Sequence, residues 1–253
     1  MNMLRSIVFA VVFYLNSAVF LIVGSPLLFA PRRWAMMGLK AHGLASLWWL
    51  KVICGTRMEV RGRENLPAGG ALIVAKHQSA WDTFALIPLF RDPAMVMKAE
   101  LMLIPFYGWF SYKFKHIFVE RKRGPMALRK MVRDAKDRLQ ANREIVIFPE
   151  GSRTPPGAPP NYKSGVVALY EGLDVACIPV ALNSGLYWPR RQTARHPGTI
   201  IIEILPALPA GLDRKTFRTT IEQSIETATA NLIAEAAASE TPPPTAKQLA
   251  KNA

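Results

Sequence analysis

Apolar and polar positions divide this chain into three regimes. From Ile7 to Ala30 no side chain is charged, and Asn16, Ser17, Gly24, Ser25 and Pro26 are the only interruptions. A helix over this run to about Val23 would approach the ~30 Å of a bilayer core at a rise of about 1.5 Å per residue. A signal peptide would have a shorter apolar region and a small-residue cleavage site after it, which this run does not offer. Pro26 and Pro31 end the helix, and Arg32 and Arg33 follow. A second apolar stretch, Trp34 to Cys54, carries Lys40, His42 and Lys51, with Trp34, Trp48 and Trp49 suited to a water–lipid interface. The pair predicts either a helical hairpin embedded in one leaflet or one span plus an interfacial helix, against the competing reading of soluble core helices.

Beyond Gly55 short apolar runs take over. Strands are predicted at Met58 to Val60, Leu72 to Ala75, Ala94 to Lys98, His116 to Glu120, Glu144 to Phe148, Val175 to Leu182 and Thr199 to Leu205. Helices are predicted between most of them, at Trp81 to Phe90, Leu101 to Phe110, Pro125 to Ala141 and Ser164 to Glu171. This alternation predicts an α/β fold with a mixed, largely parallel sheet flanked by helices. Leu101 to Phe110 is apolar enough to be core or an added lipid contact. Phe217, Ile221, Ile225, Ala228 and Leu232 recur at helical spacing and predict an amphipathic helix packed on the domain. From Ala236 onward Ala, Glu, Thr, Pro and Lys dominate. The expected organisation is membrane-anchoring helices over 1–54, one α/β domain over 55–238 and a disordered tail over 239–253.

Charge narrows the partner. The 253 residues carry a formal net charge of +14, which points to a polyanion: nucleic acid, an anionic membrane surface or phosphorylated small molecules. Nucleic acid is set aside, because the basic residues are not interleaved with stacking aromatics in a recognisable module. Cys54 and Cys177 lie far apart in apolar surroundings and are expected to be buried thiols in a reducing compartment.

Three segments carry candidate chemistry, each at the end of a predicted strand. Lys76-His77-Gln78-Ser79-Ala80-Trp81-Asp82 offers an imidazole on a turn and a carboxylate where a helix begins. On one unbroken helix the two would lie about 140° apart, so Asp82 must reach back to His77 from the first helical turn. The competing reading is a Ser79-x-x-Asp82 capping box, in which Asp82 serves only backbone N–H groups. Glu120-Arg121-Lys122-Arg123-Gly124 precedes a helix starting at Pro125 and forms either a phosphate site or a solvated strand end. Pro149-Glu150-Gly151-Ser152-Arg153-Thr154 forms a tight turn in which Gly151 permits close backbone approach and Arg153 can grip a phosphate. A structural Glu150–Arg153 pair is the alternative there. Lys163, at the start of the next helix, offers another anion contact.

Taken in order, His77-x-x-x-x-Asp82, Phe118-Val119-x-Arg121, Phe148-Pro149-Glu150-Gly151-Ser152-Arg153 and Ile178-Pro179-Val180 resemble the four motifs of the glycerolipid acyltransferases. The nearest resemblance is to the bacterial 1-acyl-sn-glycerol-3-phosphate (lysophosphatidic acid) acyltransferases. It covers about Gly62 to Pro206, with Ser152 and Thr154 standing where that family usually has Thr and Ser, and Glu120 at a position often Asp or Asn. The resemblance implies acyl transfer to the sn-2 hydroxyl of lysophosphatidic acid, with His77 as general base and Asp82 orienting it. It further implies that Arg121 and Arg153 bind the acceptor's phosphate, with Glu150 and Gly151 shaping that site; Ser152 and Lys163 complete the expected binding set. No cofactor and no metal are expected. The co-substrate would be acyl-CoA or acyl-acyl carrier protein, and the partners would be membrane lipid, an anionic membrane surface and acyl carrier protein. Arg5 is the lone base before the first apolar run, which favours a catalytic domain on the cytoplasmic face of an inner or plasma membrane. Two alternatives stay open: acylation of another lyso-lipid (lysophosphatidylglycerol or a lyso-ornithine lipid), and a membrane-surface protein that binds anionic lipid without turnover.

Overall fold

A computed structural model describes residues 2–252. Seven strands form one sheet: β1 (Thr56–Arg61), β2 (Leu72–Ala75), β3 (Ala94–Lys98), β4 (Ile117–Val119), β5 (Ile145–Ile147), β6 (Cys177–Leu182) and β7 (Gly198–Ile204). Their spatial order is β1-β7-β6-β2-β5-β3-β4. From β6 to β4 all neighbours are parallel, whereas β7 runs antiparallel to β6 and takes β1 with it as a parallel edge pair. β2 lies at the centre with all four residues buried. A strand covered on both faces reads as an unbroken apolar run, which is why Leu72 to Ala75 shows no alternation.

The two sheet faces bury different partners. Leu72, Val74, Ile145 and Ile147 point to one face, where they meet Met131 and Ala135 of α5 (Pro125–Gln140), Val166 and Leu169 of α6 (Ser164–Leu173), and Phe217, Ile221 and Ile225 of α8 (Arg214–Ala238). Ile73, Ala75 and Val146 point to the other, as the period of two along a strand requires. That second face is covered by the N-terminal hairpin. Its first helix, α1 (Asn2–Ala18), continues through a π-helical turn to Val23 and stops at Gly24 and Pro26. Its second, α2 (Arg32–Cys54), ends where Gly55 adopts φ +74° and donates its N–H to Lys51.

One described helix, Met3–Val23, is long and apolar enough to cross a membrane, and only 11% of its apolar window is buried. Yet its first half is docked on the domain. Phe9 packs edge-on against Trp188 at 5.3 Å and shares a core cluster with Leu50, Cys54 and Ile200, Ile202 and Ile204 of β7. The hairpin and the α/β domain therefore have one core in common. The remaining hairpin surface exposes many apolar side chains, including Tyr14, Val23, Phe29, Met37 and Trp48.

Two expectations differ from what is found. The predicted helix over Leu101 to Phe110 is a 3-10 turn, Ala99–Leu103, followed by a break and α4 (Tyr107–Lys113). Pro105 lacks an N–H and Phe106 sits at φ 59°, so no continuous helix passes through them. The tail expected to be disordered contains α9 (Pro244–Asn252). Proline is tolerated at the first helical position, and Ala246 is wholly buried while Leu249 packs closely on Gly157. The two remaining helices are short, α3 (Asp82–Ala85) and α7 (Ser184–Tyr187), and each follows a site-bearing strand end.

Candidate active site

In an open parallel sheet the carboxyl ends of adjacent strands converge on one crevice, and this is where β2, β5 and β4 deliver their following turns. The His77 carbonyl accepts from the Thr154 N–H at 2.8 Å, tying the turn after β2 to the turn after β5. His77 Nδ1 lies 2.9 Å from Asp82 Oδ2. The same oxygen accepts the N–H groups of Gln78 at 2.8 Å and Ser79 at 2.9 Å, while Oδ1 accepts the Ser184 hydroxyl at 2.5 Å. One wholly buried carboxylate thus serves the backbone N–H groups of the capping reading and meets the His77 ring as the other reading requires. Since Asp82 is an acceptor throughout, the ring donates through Nδ1 and presents the lone pair of Nε2. Phe148 fixes the ring plane by stacking at 4.0 Å and 16°. The His77 side chain is 12% exposed and lines a cleft of about 850 Å³.

His116 also lines this cleft. Burial, reinforced by the nearby Arg143 guanidinium, lowers its pKa to about 3. Its Nδ1 accepts the Met95 N–H at 3.2 Å.

The cationic residues expected from sequence meet on the same cleft. Arg121, Gly151, Ser152, Arg153 and Lys163 all line it. Arg121 Nη2 donates to the Gly151 carbonyl at 2.6 Å. Gly151 has φ +66°, and a Cβ built there would sit 2.6 Å from Arg121 Nη2, so glycine is required for this approach. Lys163 caps the start of α6, donates its N–H to Pro149 at 2.8 Å and its ammonium to Asn161 Oδ1 at 2.8 Å. Beyond these polar groups the cleft continues between Phe13 of α1, Phe20 of the π-helical turn after it, Leu39 of α2 and Phe110 of α4. It is therefore cationic at one end and apolar at the hairpin end.

Glu150 departs from expectation. It is buried, and its Oε1 accepts from Lys76 Nζ at 2.7 Å, so the pair with Arg153 does not form and the carboxylate does not line the cleft. Sequence reasoning also missed Lys76, Ser184 and Arg190. Arg190 lines the cleft and donates from Nη1 to the Arg153 carbonyl at 2.8 Å. Lys76 alone carried a signal, as a charge directly following a buried strand. Among the described residues, no group of three or more His, Cys, Asp or Glu side chains is placed to hold a metal ion.

Comparison with known proteins gives a consistent picture. The model of the family described as Acyltransferase matches residues 57–183. A 1-acyl-sn-glycerol-3-phosphate acyltransferase of Pseudomonas aeruginosa is 38% identical over 165 residues, covering 65% of this chain and 64% of that one. The alpha form from Mus musculus is 28% identical over 160 residues, covering 62% and 56%. The chain thus matches under two thirds of the length of these relatives. Among solved structures, the 1-acyl-sn-glycerophosphate acyltransferase PlsC from Thermotoga maritima has the same fold, with a TM-score of 0.78 at 22% identity over 92% of this chain and 98% of that one.

Proposed function

This chain belongs to the Acyltransferase family, matched over residues 57–183, and on that premise we propose that it transfers an acyl chain from an acyl thioester to the sn-2 hydroxyl of lysophosphatidic acid, giving phosphatidic acid. The observation that carries this reading is the shared cleft: the oriented His77 imidazole, the side chains of Arg121, Ser152, Arg153 and Lys163, and an apolar extension line the same space.

A secondary hydroxyl is a poor nucleophile near neutral pH. His77 Nε2 takes its proton as the oxygen attacks the thioester carbonyl, and Asp82 holds the ring in the tautomer that can accept it. The carbon–sulfur bond then breaks, and the thiolate leaves with the proton that His77 had gained. Such assistance supplies typically ~10²- to 10⁴-fold. Arg121, Ser152, Arg153 and Lys163 bind the acceptor's phosphate, where a guanidinium can offer two parallel hydrogen bonds. Glu150 serves this site from behind rather than by contact. Acyl chain lies along the aromatic end of the cleft, toward the hairpin. Coenzyme A or acyl carrier protein delivers the acyl group.

The exposed apolar face of the hairpin lies on the membrane, which keeps the amphiphilic acceptor beside the cleft while the donor arrives from water. Because Phe9 is held in the domain core, the hairpin rests in one leaflet rather than carrying its first half across. Basic side chains near the surface add about 1 kcal/mol each toward anionic lipid, with the catalytic domain on the cytoplasmic face. The deciding experiment incubates purified protein in vesicles with lysophosphatidic acid, lysophosphatidylglycerol or lyso-ornithine lipid and with each donor. Phosphatidic acid formed fastest from lysophosphatidic acid supports the reading. Faster use of another lyso-lipid, or no thioester consumption at all, overturns it.

A further inference from the structure

The lysine beside the base is enclosed by charge from two directions. Lys76 and Glu150 side chains are 2% and 1% exposed. Lys76 Nζ donates to Glu150 Oε1 at 2.7 Å and equally to Glu226 Oε1 at 2.7 Å. Glu226 comes from α8 and lies beyond the family-matched residues 57–183. Its Oε1 also accepts the Tyr162 hydroxyl at 2.9 Å. Burial, then the Glu226 carboxylate, push the Tyr162 phenol far above its ordinary range, so it stays a donor and pins Glu226.

One carboxylate is enough to pair a buried ammonium, yet two reach the same Nζ here. The second has a geometric use. Glu150 is the link to the base: its Oε2 faces the His77 peptide N–H at 3.4 Å. A Lys76 ammonium held only by Glu150 could swing with it, whereas one held also from α8 fixes Glu150, and through it the turn that carries His77. Tyr162 adds the other shoulder of the cleft, because it directly precedes Lys163.

We propose that Glu226 is a positioning residue for acyl transfer, bracing Lys76 and Glu150 so that the His77 turn is held against the cationic side of the cleft. This rests on the acyltransferase reading given above. The test uses the full chain in vesicles and compares kcat and acceptor KM of wild type, Glu226→Gln and Glu226→Asp, with thermal unfolding recorded alongside. Glu226→Gln keeps the shape and an oxygen for Tyr162 but removes the charge opposite Lys76. It should lower kcat by about tenfold, since sub-ångström to ångström misplacement of a reacting group costs this much or more. Acceptor KM should stay within about twofold, because a group that touches no substrate leaves ground-state binding alone. Glu226→Asp restores the charge and should recover to within about threefold of wild type, on the same positional argument. A Gln variant with wild-type kcat overturns the proposal, as does a loss shared equally by Gln and Asp in step with lowered thermal stability. A wild type that forms no phosphatidic acid sinks the acyltransferase reading itself, whereas an active wild type beside an unimpaired Gln variant sinks this one alone.

Discussion

Around His77 the protein supplies its own partners. Asp82 accepts four hydrogen bonds, three of them on the oxygen that meets the imidazole, and Phe148 lies flat against the ring. Across the cleft the pattern reverses. Arg121 and Arg190 hold backbone carbonyls of the Gly151–Arg153 turn, so the loop is clamped by its main chain while cationic side chains line open space. On the proposed reading the imidazole half is the one that needs close placement, since a displaced base loses its benefit. The cationic half would keep charge available for a ligand whose oxygens complete the hydrogen bonding.

The contrast is broken most directly at the base. His77→Ala should lower kcat by at least ~10²-fold with vesicle binding retained, and a rate assay near wild type would show that the locked half does no proton transfer. Asp82→Asn should lose a similar amount, because an amide can present its NH₂ to the ring and favour the wrong tautomer. On the cationic side, Arg153→Ala should raise acceptor KM about tenfold with little change in kcat, as expected for a charged contact made in ground and transition states alike. If initial-rate fits put the loss in kcat instead, the two halves are not separate. Ser184→Ala removes one donor from Asp82 without touching His77. A drop of about fivefold in kcat at unchanged KM is expected, from a hydrogen bond worth ~1 kcal/mol. The smallest effect on turnover comes from His116. Its folded pKa of about 3 lies below the ordinary 6.5, so between those values the unfolded chain binds a proton that the folded one does not. Stability should fall as pH falls through this window, by up to ~1.4 kcal/mol per pH unit, and unfolding scans at several pH values should show a shallower slope in His116→Gln.

The centre of the sheet was legible because β2, β5 and β6 are short, apolar and fully covered. The buried face of α8 was legible because Phe217, Ile221, Ile225, Ala228 and Leu232 recur at helical spacing, and all five are buried. Local pattern failed where tertiary contacts decide. Leu101 to Phe110 looks helical by apolar content, yet Pro105 and the left-handed Phe106 divide it. The 239–253 segment looks unstructured by composition, yet Ala246 finds a buried slot that no window of sequence reveals. At the site, turn chemistry placed His77 and Asp82 because they are five residues apart. Ser184, Glu150 and Glu226 reach Asp82 or Lys76 from 102, 74 and 150 residues away, and separations of that size leave no trace in periodicity. For Glu150 the acidic side chain in a ligand-facing motif suggested contact, while burial and an unforeseen lysine gave it an internal partner.

The edge-on contact of Phe9 with Trp188 bears on how the protein can be handled. Arg195 stacks on Trp188 with its guanidinium 4.2 Å from the ring, and its backbone N–H donates to the Ser6 hydroxyl of α1. Trimming the first 54 residues to obtain a detergent-free protein would therefore uncover Trp188, Phe84 and the Ile200, Ile202 and Ile204 side chains together. The shortened chain would precipitate rather than dissolve.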